Sequence, residues 1–205
     1  MHGLGADGSD FEPIVPYLGV NPTVPVRFIF PNAPQIPVTC NGGYVMSAWY
    51  DIISLTPDSR EIDEVGLLAS RDSISALIDR EVSRGVPANH IFLAGFSQGG
   101  AVAYLTGLTY PTVLAGIIAL STYIPSPKQT QTLATPASQA TPLFIAHGTH
   151  DDVVSLELGE IARDVVAELG NPLDWQTYPM GHEVCLPEIQ AIGAWINARI
   201  SNSIS

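Results

Sequence analysis

Residues 91–100 read Ile91-Phe92-Leu93-Ala94-Gly95-Phe96-Ser97-Gln98-Gly99-Gly100. Apolar residues run straight into Gly-x-Ser-x-Gly, and a helix-compatible run, Ala101-Val102-Ala103-Tyr104-Leu105, follows. A strand that turns at once into a helix, with a serine at the apex, leaves few architectures open. The glycines two before and two after the serine have a steric reason. Strand and helix approach closely there, and a Cβ would collide around a serine held at strained backbone angles. With 18 glycines in the chain, the pentapeptide alone arises by chance in roughly one such chain in eight, so its context decides.

The context is an alternation of apolar β-type runs with longer helical stretches. Strands are expected at 26–30, 90–94, 114–120, 143–146 and 174–178. Helices are expected from about 62 to 83, where Leu67, Leu68, Ile74, Leu77, Ile78 and Val82 recur at helical spacing, and at 98–109, 156–169 and 187–200. Near-continuous apolar strands alternating with helices predict a mostly parallel sheet covered on both faces, in one domain over 1–205. Residues 126–141 are rich in Pro, Ser, Thr and Gln, lack periodicity and read as a surface excursion. Residues 31–57 hold four prolines, two glycines, Trp49 and Tyr50, and read as a loop forming a wall over a site.

Ligands of open α/β sheets bind at the carboxyl ends of the strands. Three loops at that edge carry chemistry: Ser97, then His147-Gly148-Thr149-His150-Asp151-Asp152, then Gly181-His182-Glu183. A serine hydroxyl needs a base within hydrogen-bond reach, and that base needs an orienting carboxylate. Sheets with this elbow order them nucleophile, acid, base along the chain. Of the five histidines, His2 precedes the serine and His90 opens a strand at the wrong edge. His147 closes a strand and reads as a buried anchor. His150 adjoins the acid, too early in the chain, which leaves His182 as the base. Asp151 and Asp152 are adjacent and cannot both face it; spacing favours neither. An oxyanion forming on the substrate needs two backbone N–H donors. Gln98, opening the helix after the serine, supplies one, and the Gly-rich stretch His2-Gly3-Leu4-Gly5-Ala6-Asp7-Gly8 supplies the other, at Leu4.

Twenty acidic against eight basic residues give a net charge of −12, which disfavours nucleic acid and anionic membrane surfaces as partners. The longest apolar run, near 113–120, is too short to span a bilayer. No secretory signal is evident, and Cys40 and Cys185 read as two free thiols, so a cytoplasmic location is expected. The cluster His147, His150, Asp151, Asp152 lacks H-E-x-x-H spacing and a cysteine pair, so no metal is expected.

The chain resembles the phospholipase/carboxylesterase family, which includes acyl-protein thioesterases, of the α/β-hydrolase superfamily. The resemblance rests on residues 2–8, Asn41-Gly42-Gly43 with Met46 and Trp49-Tyr50-Asp51, Gly95 to Gly100, Ala119-Leu120-Ser121, His147-Gly148-x-x-Asp151 and Gly181-His182. It implies Asp151 as the acid, supports Leu4 and Gln98 as oxyanion donors, and implies hydrolysis of small acyl esters or thioesters, without a cofactor, through an acyl-enzyme. It implies a carboxylesterase on short to medium chains, with an acyl-protein thioesterase or lysophospholipase as alternatives. The family also carries a central strand just before the His-Gly-Leu-Gly loop, which is absent ahead of Met1. An empty slot leaves backbone groups unpaired, to be met by a closed-up sheet or by a second copy in a homodimer. If that gap disables the oxyanion loop, a non-catalytic hydrolase-like domain is the remaining alternative.

Overall fold

The computed structural model describes residues 1–55 and 60–203. A run of 3-10 turns, Gly8–Tyr17, is followed by two antiparallel hairpins. The first pairs β1 (Gln35–Val38) with β2 (Tyr44–Ser47), and the second pairs β3 (Ile52–Leu55) with β4 (Arg60–Ile62). Helix α1 (Glu64–Ser83) starts where the Asp63 side chain accepts the Val65 N–H, a cap that satisfies one orphan donor of the first turn. Then come β5 (Phe92–Phe96), α2 (Gln98–Thr109), β6 (Gly116–Leu120), α3 (Pro127–Leu133), β7 (Leu143–Gly148), α4 (Leu156–Leu169), β8 (Leu173–Tyr178) and α5 (Leu186–Ser203).

Strands β5, β6, β7 and β8 lie side by side in sequence order, all parallel. Alternate residues face opposite sides of a strand, and here both sides are apolar. Ile117, Ala119, Leu143 and Ile145 pack against α1, α2 and α4. Ile118, Leu120, Phe144 and Ala146 pack against Ile189, Ile192, Trp195 and Ile196 of α5. That double covering is why β6 and β7 read as apolar runs, whereas the edge strand β8 exposes Asp174, Gln176 and Thr177. The shared direction of the strands sends the turns after β5, β7 and β8 to one edge.

Three expectations differ. Residues 26–30 form no strand; Val26, Phe28 and Ile29 are exposed. A strand needs a neighbour to take its backbone groups. Along the outer edge of β5 the residue that bonds is Met1, whose amine donates to Ala94 O at 2.7 Å and whose carbonyl accepts from the Phe96 N–H at 3.1 Å. Residues 126–141 hold α3, which starts with Pro127 where a missing N–H costs nothing, and they bury Thr130 and Ser138. Residues 31–55 are mostly hairpin. Trp49 and Tyr50 lie buried beneath the site, while Ile52 and Leu55 face it. The last two positions of that expected loop, 56 and 57, lie outside the described residues. No helix among the described residues is long and apolar enough to cross a membrane.

Candidate active site

Ser97 sits at φ 53°, ψ −122°, a conformation that costs a non-glycine residue about 1–3 kcal/mol. Its surroundings hold it there. The Ser97 N–H donates to Leu120 O at 3.0 Å, and the Thr122 hydroxyl donates to Ser97 O at 2.6 Å. The flanking glycines are required by close approach. A Cβ on Gly95 would overlap the Gly99 carbonyl, and one on Gly99 would sit 2.5 Å from His2 O.

His182, in the turn after β8, lies with Nε2 2.9 Å from Ser97 Oγ and Nδ1 2.8 Å from Asp151 Oδ2. An ionised carboxylate only accepts, so Nδ1 carries the proton and Nε2 presents a lone pair to the serine hydroxyl. Asp151 Oδ1 accepts the N–H groups of Val153 at 2.9 Å and Val154 at 2.8 Å, which closes the turn after β7 around the carboxylate. Burial alone would raise the Asp151 pKa. Hydrogen bonds from His182, Val154 and Val153 outweigh it and hold the carboxyl below its ordinary value. Asp152 is exposed, so the structure separates two neighbours that spacing could not. His147 is buried behind the acid, with Nε2 2.8 Å from Val154 O. Burial lowers its pKa, leaving it a neutral brace for the turn.

Beside Ser97 lies the loop that begins at His2. Leu4 and Gln98 line the same cleft as Ser97 and His182. The Leu4 N–H has no acceptor among the described residues. Gln98 is the first residue of α2, whose opening N–H groups have no partner within the helix. The side chain of Gln98 has a task that sequence reasoning missed. Oε1 accepts the Trp49 N–H at 2.9 Å and Nε2 donates to Tyr50 O at 2.7 Å. The Trp49 indole N–H then donates to His2 O at 2.8 Å. The His2 ring accepts the Ala33 N–H at Nε2 (3.0 Å), so its Nδ1–H donates to Gly3 O at 2.8 Å. A chain of buried bonds thus runs from the residue after the serine to the loop bearing Leu4.

The cleft above Ser97 measures about 550 Å³ and is mainly apolar, lined by Phe11, Ile14, Ile52, Leu55, Phe96 and Val184 among others. Phe96 packs on His182, ring centroids 4.7 Å apart, and Phe11 on Phe96 at 5.8 Å. Arg60 also lines it. No motif marked Phe11, Arg60 or Tyr123, which come from segments without periodicity.

The family model for Phospholipase/Carboxylesterase matches residues 1–200. The chain belongs to the phospholipase/carboxylesterase family. This family member is 40% identical to acyl-protein thioesterase 1 of Neurospora crassa over 98% of its own length and 85% of that protein. It is 34% identical to carboxylesterase SOBER1 of Arabidopsis thaliana over 100% of its length and 91% of that protein. The crystal structure of SOBER1 superposes with a TM-score of 0.92 at 33% identity, covering 97% of this chain and 96% of that one. That of Zea mays acyl-protein thioesterase 2 gives 0.81 at 26% identity, covering 97% and 91%. The fold is that of the α/β-hydrolases, and the family is one of ester hydrolases.

Proposed function

We propose that this family member is a serine carboxylesterase that hydrolyses short to medium acyl esters through an acyl-enzyme. The observation that carries the reading is the unbroken hydrogen-bond chain Ser97–His182–Asp151, drawn from three loops at one sheet edge. His182 takes the serine proton as Oγ attacks the ester carbonyl, and the N–H groups of Leu4 and Gln98 hold the oxyanion. His182 then protonates the departing alcohol, and a water repeats the cycle on the acyl-serine. Asp151 keeps the imidazole in the tautomer this needs and stabilises its charged form. A cleft of about 550 Å³ matches a small ligand. Ser97→Ala is expected to lower kcat by at least about a thousandfold without changing the thermal unfolding curve. A fluorophosphonate probe should label the parent protein once, at Ser97. Wild-type activity in Ser97→Ala, or no labelling, refutes the assignment.

A thioesterase acting on acylated proteins is the second reading, favoured by the name of the Neurospora relative. Rates on an ester and a thioester with the same acyl group separate the two.

A further inference from the structure

We infer that the cleft selects esters carrying a carboxylate, and that Arg60 recognises it. The inference rests on the esterase reading above and names the substrate class for that site.

The chain has eight lysines and arginines. Arg27, Arg71, Arg84, Arg163 and Arg199 each pair with a carboxylate. Arg80 and Lys128 are exposed and solvated. Arg60 alone is partly buried with no carboxylate partner among the described residues, and it lines the cleft above Ser97.

Its fixed contacts are few. Nη2 donates to Val153 O, and the guanidinium lies 4.7 Å from the centre of the Tyr123 ring. Nη1 is buried with no acceptor among the described residues. A guanidinium offers five N–H donors in a planar fork that matches a carboxylate in two bonds. Such a group held beside an apolar cleft without its acceptors is unfavourable unless a ligand supplies them. Among the residues that line the cleft, Arg60 is the one lysine or arginine, beside the carboxylates of Asp10 and Glu183.

The carboxylate can belong to the acyl group or to the alcohol. Two matched pairs distinguish these: monoethyl glutarate against its primary amide, and butanoyl glycolate against its primary amide. The kcat/KM ratio within a pair cancels any general effect of Arg60 on the turn at Val153. In the wild type the carboxylate member of one pair should be favoured by about tenfold or more. Arg60→Met should abolish that preference while still hydrolysing the amides, and Arg60→Lys should keep part of it. No preference in either pair, or a preference that survives Arg60→Met, overturns the inference and leaves the esterase reading intact. Failure to hydrolyse any of the four defeats both. Should Arg60→Met not fold, the wild type decides: free glutarate should protect Ser97 from a fluorophosphonate at lower concentration than glutaramide, and equal protection overturns the proposal.

Discussion

At Asp151 the two oxygens have separate tasks, one toward His182 and one toward the backbone of its own turn. An asparagine can satisfy only half of this, since its amide group donates where both neighbours already donate. Asp151→Asn should therefore lower kcat by about 10⁴ through the wrong imidazole tautomer, with KM far less affected; steady-state kinetics check it. The sign of the pKa shift fixes a second expectation. The carboxyl is held below 3.8 in the folded protein. Its contribution to stability is present above pH 3.8 and disappears as pH falls through the lower folded value, visible in acid titrations of the melting temperature. Ser97, His182 and the pair containing Asp151 were legible in the sequence because each follows an expected strand at the carboxyl edge of a parallel sheet. Choosing between Asp151 and Asp152 by geometry needed coordinates. So did Arg60, whose meaning lies in a missing partner, which no local pattern encodes.

Among the elements, the hairpins and the start of α2 act as a clamp on the loop bearing Leu4, the proposed oxyanion donor. Trp49→Phe keeps the ring and removes the N–H to His2 O. One lost hydrogen bond of ordinary strength should loosen the Leu4 N–H and lower kcat about tenfold, with KM little changed. Affinity for a boronic acid, which occupies the oxyanion position, should fall in parallel. Gly99→Ala should act more severely, because the new Cβ meets backbone carbonyls of Met1 and His2, which cannot swing aside. Strands β5 to β8 and helices α1, α2, α4 and α5 were readable from periodicity. Residues 26–30 were not, because four apolar residues around Arg27 specify a strand only where a neighbour accepts their backbone. Helix α3 hid in polar composition; its seven residues show no stripe because it buries little more than Thr130.

For the molecule as a whole, one buried group opposes folding at high pH. Glu188, in the first turn of α5, is 0% exposed, and neither carboxylate oxygen has a well-formed hydrogen bond. Burial pushes its pKa up to about 7, with the Cys185 N–H offsetting part of the rise. The ordinary value is 4.5, so the unfolded chain gives up this proton first. Stability should fall as pH rises from 4.5 to about 7 and level off above, by on the order of 3 kcal/mol. Glu188→Gln should thus raise Tm at pH 8 by roughly 5–10 °C and change it little at pH 4.5, read by calorimetry.

The serine and its imidazole partner stand 85 positions apart, and the latter sits in the turn between β8 and α5. Turnover therefore needs the turn after β8 seated against the turn after β5, so a substitution that unseats α5 from the sheet should silence Ser97 without touching it.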